Sequence, residues 1–399
     1  MIEKEIQLKI RELAKKYQKD IVKFAQKIIQ TPSFSTKEGN LVNLIKKEME
    51  KVGFDKVMID RMGNIIGFIG KGKKKIMIDA HIDTVGIGDP KAWKIDPFKG
   101  IIKNNIIYGR GASDQKLSMA SIVYAGKIIK DLNLAKDYTY IAVGSVQEED
   151  CDGLPLLHII KKEKIKPDYV IITEPTNLSV YRGHRGRIEI KVTVKGKSCH
   201  ASAPERGDNA LVKMADIIKE ITNLNEKLKS DPFLGKGSIV VTYIECKTPS
   251  LNAVPDEATI YIDRRLTKGE DKNISISQIK TLPSVKKHKA TVEILNYNAT
   301  SWKNLKVTQE KYFPTWVIEE DHPLVKAAVK AAEIAIDKKP IVGKWIFSTN
   351  GVASCGRLNI PTVGFGPGNE IYAHSINEQM PVEHLIKATI FYSIIPSLV

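Results

Sequence analysis

A chain of 399 residues, 42% hydrophobic and 27% charged, is long enough for two domains and a large core, and has the balance of an ordinary globular protein. No apolar run approaches the roughly 20 residues that a membrane-spanning helix needs, and Cys151, Cys199, Cys246 and Cys355 lie too far apart for a zinc ribbon or redox centre. The formal net charge of +16 raises nucleic acid as a partner, but the lysines are scattered, their one dense run (Lys71-Gly72-Lys73-Lys74-Lys75) falls in a turn, and aromatic interleaving is absent. The charge is therefore read as a solvated surface that draws small anions into a cleft, with neither nucleic acid nor membrane as partner.

Residues 5 to 29 carry Ile6, Ile10, Leu13, Tyr17, Ile21, Phe24 and Ile28 at helical spacing, and Thr31-Pro32 stops that helix. No apolar secretory segment precedes it, so the cytoplasm is the expected compartment. A second helix is predicted from Leu41 to Val52, with Gly53 at its end. Strands and helices then alternate as far as Glu174, which predicts an α/β domain with a mixed, mostly parallel sheet and helices on both faces.

The pattern changes near Arg185. Ile188, Ile190, Val192 and Val194 alternate with polar residues, as in a sheet with one wet face. Strands at 187–195, 237–246, 257–265 and 289–297, with helices near 208–229 and 270–280, give the order β-α-β-β-α-β of a ferredoxin-like α+β unit. At Asp321-His322-Pro323 a helix opens towards Ile336 and the α/β pattern resumes. The expected organisation is one α/β domain formed by residues 1–184 and 311–399, interrupted by an inserted α+β domain at 185–310.

Candidate metal ligands follow strand-like runs. His81 sits at the carboxyl end of Ile76-Met77-Ile78, where open α/β sheets place their ligand sites, and Asp83 could accept the proton of the far imidazole nitrogen. Gly109-Arg110-Gly111 permits tight turns just before Asp114. The strand from Tyr138 runs into Gln147-Glu148-Glu149-Asp150, and the strand from Tyr169 into Glu174. His374 follows a Gly-Pro-Gly loop. Two histidines and three carboxylates, mixed nitrogen and oxygen donors, suit zinc, cobalt or manganese better than magnesium or calcium. On residues alone, either Glu148 or Glu149 could be the ligand and the other a base.

The segments HIDTV, GRGASDQK, QEED, TEPT, SCHASAPERGDNA, NAVPDEATIYIDRR and AHSINE, in this order over nearly the whole chain, resemble the M20 family of metallohydrolases, which includes succinyl-diaminopimelate desuccinylase, acetylornithine deacetylase, aminoacylases, carboxypeptidases and small peptidases. EEDCDG, YRGHRGR and FSTNGV look most like the branch labelled selenium-metabolism-linked hydrolase. The resemblance implies that His81 and Glu174 hold one metal, Glu149 and His374 the other, and Asp114 bridges both. Zinc is the expected metal, with cobalt or manganese as alternatives. Glu148 becomes the general base, the backbone or Asp83 takes the other ring proton of His81, with Asp83 as its expected support, and the Asp114–Gln115 peptide is expected to be cis.

The resemblance also makes 1–184 and 311–399 the catalytic domain and 185–310 a lid and dimerisation domain: its His200 matches the family histidine that reaches the tetrahedral intermediate, often from a partner subunit, which implies a homodimer through that domain. Asn252 and Arg265 match positions that hold a substrate carboxylate. Arg185, and the loops containing Asn350 and Gly366, are further candidates for that task. The implied reaction is hydrolysis of an amide in an N-acyl amino acid bearing a free carboxylate. The alternatives are a dipeptidase or carboxypeptidase, an N-carbamoyl amino acid hydrolase, and, from another class, a metal-binding homologue that has lost catalysis.

Overall fold

The computed structural model describes residues 3–399; Met1 and Ile2, which precede the predicted first helix, lie outside them. The large mixed sheet is built around Lys74–His81, a strand buried from Ile76 onward that pairs in parallel with Tyr138–Ser145 on one side and Tyr169–Ile172 on the other. Thr362–Gly364 adds in parallel beyond Tyr169–Ile172, while Ile65–Ile69 adds antiparallel beyond Tyr138–Ser145. A strand covered on both faces is buried along its whole length, as Tyr138–Ser145 is. Helices Ser118–Asp131, Pro323–Ile336 and Val382–Ile394 bury apolar faces in the main core cluster, and Leu154–Lys161 contributes Leu156, Ile159 and Ile160 to a second cluster.

Two expected elements break where one was predicted. The first helix is interrupted at Tyr17 (φ −87°, ψ 1°) into Lys4–Lys16 and Gln18–Ile29. The Tyr17 hydroxyl donates to Asp131 at 2.6 Å and its ring lies against Tyr124, so tertiary contacts set the bend. The strand expected at 289–297 divides into Thr291–Ile294, which stays in the inserted sheet, and Asn296–Thr300, which turns away to pair with Lys306–Glu310 as a hairpin. Tyr297 and Val307 of that hairpin are buried in the main core.

In the inserted unit the strand order is Ser238–Lys247, Glu257–Leu266, Gly186–Lys195, Thr291–Ile294, every pair antiparallel, as a ferredoxin-like sheet requires. Helix Ala210–Glu226, capped by the Asn209 side chain, covers the face carrying Ile188, Ile190, Val192 and Val194. The opposite face carries Arg187 beside Arg265, which are cross-strand partners. Among the described residues no helix is long and apolar enough to cross a membrane.

Candidate metal centre and active site

Three parallel strands end side by side, with His81 opposite Ser145 and Asp79 opposite Ile172, so His81, the 147–150 turn and Glu174 leave the sheet at one edge. A second, smaller sheet brings in the rest. Ile106–Tyr108 pairs with Gln379–Pro381, which draws the loop leading to Asp114 against the segment that follows His374.

Asp114 stands between the two histidines: its Oδ1 is 3.0 Å from His81 Nε2 and its Oδ2 is 3.2 Å from His374 Nε2. Glu174 Oε1 lies 3.6 Å from His81 Nε2, and Glu149 Oε2 lies 2.8 Å from His374 Nε2. Glu148 Oε2 is 4.0 Å from His81 Nε2, and Glu148 Oε1 is buried with no hydrogen-bond partner among the described residues. Donor atoms of His81, Asp114 and Glu149 fall within 4.8 Å of one another, as do those of His81, Glu148 and Glu174.

The electrostatics point the same way. Burial pushes the carboxyls of Glu148 and Glu174 well above their ordinary value, and burial followed by the charge of Asp114 pushes Glu149 up to about 7. Against the burial that would raise it, hydrogen bonds from His374 and His81 hold Asp114 below the usual carboxylate range. A buried group of acids with mixed nitrogen and oxygen donors, one oxygen left unpaired, fits a pair of divalent cations held between two histidines.

The turn that carries Glu148 and Glu149 is held by buried side chains at consecutive backbone amides. Val146 N–H donates to Asn64 Oδ1, Gln147 N–H to Glu38 Oε1, and the Glu148 and Glu149 N–H groups to the two oxygens of Asp83. Gln147 itself takes a positive φ of 57°, a conformation L residues rarely adopt without such ties. Asp83 therefore does a different job from the one expected. Its backbone carbonyl, 3.1 Å away, accepts from His81 Nδ1, while its carboxylate stands 3.7 Å off and is occupied by the turn and by Ser35.

Glu378 does for Asp114 what Asp83 does for the acidic turn. Its buried carboxylate accepts from the N–H groups of Gly111, Ser113 and Asp114 and from Arg110 Nη1, and so closes the glycine loop. Every described peptide bond, including Asp114–Gln115, is trans, in contrast to the expected cis bond.

A cavity of about 290 Å³ opens over these groups, lined by Asp114, Glu148, Glu149, Glu174, His374 and Arg265, together with Asp152, Arg187, Phe347, Ser348 and Ala373. Of the residues expected to bind substrate, only Arg265 lines it. Arg185 instead donates to the Lys236 carbonyl at 2.8 Å. Asn350 is buried, with Nδ2 bonded to Asp79 and Ser145 and Oδ1 accepting from Gly153, which leaves nothing to offer a ligand. Gly366 donates its N–H to Thr176, and an added Cβ there would meet the Glu174 carbonyl at 2.1 Å, so this glycine packs the backbone that presents Glu174. His200 and Asn252 lie on two adjoining exposed lid loops and do not line the cavity, with His200 Nδ1 2.7 Å from Ser202 Oγ.

Arg187 was missed, although the alternation contained the signal: with Ile188 and Ile190 turned to the helices, Arg187 falls on the other face. Its guanidinium lies 4.4 Å from the Phe313 ring centroid and 3.2 Å from Asp152 Oδ1.

Comparison with known proteins agrees with this architecture. Residues 77–395 match Peptidase family M20/M25/M40. The chain is 51% identical over 387 residues to "Uncharacterized protein YgeY" of Escherichia coli K12, covering 97% of this chain and 96% of that one. It is 26% identical to a succinyl-diaminopimelate desuccinylase of Buchnera aphidicola, covering 92% and 95% of the two chains. The crystal structure of an M20 family metallo-carboxypeptidase from Sulfolobus solfataricus superposes with a TM-score of 0.73 at 20% identity, over 95% of this chain and 99% of that one. With the family profile spanning most of the sequence and a half-identical relative covering nearly all of it, this chain belongs to peptidase family M20/M25/M40 and is a hydrolase.

Proposed function

We propose that the protein hydrolyses the amide bond of an N-acyl amino acid carrying a free carboxylate, with two divalent cations held by His81 and Glu174, by Glu149 and His374, and by Asp114 between them. The observation that carries this reading is the division of Asp114, one oxygen towards each histidine. Two such cations, most simply zinc with cobalt or manganese as alternatives, supply Lewis acidity that polarises a carbonyl and makes bound water acidic.

The chain's own groups do the rest. Glu148, buried and with one oxygen unpaired, takes the proton of the attacking water and delivers it to the departing nitrogen. Arg265 and Arg187 stand side by side on the lid face above the cavity and hold the substrate carboxylate, a task to which a planar guanidinium is suited. Phe347 flanks the space left for the acyl group.

His200 is assigned to a second copy of the chain. The lid's edge strand, Ser238–Lys247, exposes Val240, Tyr243 and Ile244, and the neighbouring helix exposes Leu211 and Val212. Such an edge invites pairing with a second chain. A homodimer through this surface would bring the partner's copy of the His200 loop towards the cavity, and sedimentation as a monomer at assay concentrations would contradict it.

A panel of N-acetyl, N-succinyl and N-carbamoyl amino acids and dipeptides, assayed with zinc, cobalt and manganese, tests the whole reading. Turnover should appear in at least one class and fall by about 10-fold to 10²-fold when the substrate carboxylate is converted to an amide, since hydrogen bonds between two charged partners are then lost. Equal rates on blocked and free substrates would remove the arginines from the account. No turnover on any member would remove the assigned reaction.

A further inference from the structure

The hairpin Asn296–Thr300/Lys306–Glu310 has no part in the ferredoxin-like unit and contributes nothing to the cavity lining. Its contacts give it another use. The Tyr297 hydroxyl accepts from Gln147 Nε2 at 2.8 Å and donates to Asp150 Oδ2 at 3.1 Å, so one phenol oxygen bridges the residues on either side of Glu148 and Glu149. Gln309, on the facing strand, donates from Nε2 to Cys151 Sγ at 3.1 Å and to the Asp152 carbonyl at 3.4 Å. The backbone amides of the turn are tied by Asn64, Glu38 and Asp83, whereas the side chains of Gln147, Asp150 and Cys151 are tied by the hairpin.

The hairpin is also fixed at both ends. At its tip, Trp302 Nε1 donates to the Gly63 carbonyl at 3.2 Å, one residue before Asn64, and the ring fills space left by Gly39 and Gly63. At its base, Leu295 N–H donates to Glu189 O, Glu189 N–H to Lys311 O and Lys311 N–H to Leu295 O, which joins it to the first lid strand. Lys272, on a lid helix, adds an ion pair of 2.6 Å to Glu310. A segment clamped to the lid at one end and to the acidic turn along its length links the position of one to the geometry of the other.

We propose that this hairpin is a strut between lid and acidic turn, and that Tyr297 and Gln309 are positioning residues that hold Glu148 in line with the scissile amide. The proposal rests on Glu148 being the base. Tyr297 is buried with its ring in the main core, so Tyr297→Phe removes the bridge while keeping the packing. In the metal-loaded full-length enzyme Y297F should lower kcat per metal-loaded site by about 10-fold to 10²-fold, the scale expected when a reacting group is displaced by about 1 Å, with KM and bound metal unchanged and a small drop in unfolding midpoint from the acceptor lost to Gln147. Gln147→Leu breaks the same bridge from its other side, so the double variant should be no slower than the slower single one.

Gln309→Met supplies an independent arm and should also lower kcat without shifting KM. A merely structural role would lower the unfolding midpoint or the metal content but leave kcat per metal-loaded site intact, which would overturn the proposal. So would multiplicative losses in the double variant. Glu148→Gln is assayed beside them: an inactive E148Q together with a wild-type kcat in Y297F overturns the strut alone, whereas an active E148Q overturns the assignment of the base and the strut with it.

Discussion

Substituting Glu148 by glutamine should abolish turnover, with kcat down by about 10²–10⁴-fold, the usual worth of a positioned acid–base group. The same variant should retain both metals, because Glu148 is not among the side chains assigned to hold them. The structure explains why the effect should be large. Glu148 is buried, its Oε1 has no partner among the described residues, and its turn is fixed by Asp83 from below. Glutamine preserves shape and volume but neither accepts nor delivers a proton at neutral pH. Burial raises the Glu148 carboxyl well above its ordinary value in the metal-free protein, so the positive charge of bound cations is what would return it to the ionised form a base requires. Elemental analysis beside steady-state kinetics separates the two roles: loss of metal in E148Q would make it a ligand, and the assignments of Glu148 and Glu149 would exchange.

Removing the metals should destabilise the fold, and more so as pH rises. In the metal-free protein Glu149 is pushed up to about 7, chiefly by burial, and burial pushes Glu148 and Glu174 well above 4.5. Hydrogen bonds to Asp114 and Glu149 raise His374 to about 10. Burial pushes the His81 imidazole down, but Glu174, Asp114 and Glu148 outweigh it and raise the group well above 6.5. Above about pH 5 the folded state thus keeps protons on these groups that the unfolded chain has begun to release.

When the native state binds more protons than the unfolded one, stability falls with rising pH. For the carboxyls the loss runs from 4.5 up through their folded values; for His374 it runs from 6.5 up through about 10. Asp114 has the opposite sign, but its contribution is lost only as pH falls below the ordinary carboxylate range. Bound cations take the place of those protons. Free ion at about a thousand times its Kd adds about 4 kcal/mol to the folded state, and the gap in unfolding midpoint between zinc-loaded and chelated protein should widen from pH 6 to pH 9. Asp79 and Glu38, raised to about 6 and about 8 chiefly by burial, act in both states and cancel in that difference. A gap that narrows with pH would mean that these side chains are not the ligands.

How much of this was legible in the sequence follows from the physics of each segment. His81, Glu148, Glu149 and Glu174 could be found because apolar runs that end in polar residues mark the carboxyl edge of a parallel sheet, where ligands gather, and Asp114 because the glycines before it mark a tight turn. His374 belongs with them through the pairing of Ile106–Tyr108 with Gln379–Pro381, and strands that short, one ending in proline, leave no periodic signal. The anchoring by Asp83 and Glu378 was hidden for a related reason: a carboxylate that accepts backbone amides from distant loops looks like any other acid in a motif. Asn350 and Gly366 were misplaced because loops rich in glycine and asparagine suggest free amides, whereas folding consumes both within the protein. Period-two alternation puts Arg185 and Arg187 on one face, and only the strand's start at Gly186, which the sequence leaves open, separates them. The break at Leu295 that sends Tyr297 into the other domain has no local cause in the sequence and depends on the partners waiting there.

Anomalous scattering from crystals grown with zinc tests the central claim most directly. Two peaks per chain, about 3.5–4 Å apart as in other two-metal sites, should appear, one beside His81 and Glu174, the other beside His374 and Glu149, with Asp114 touching both. A single peak, or zinc bound away from Asp114, would contradict the account.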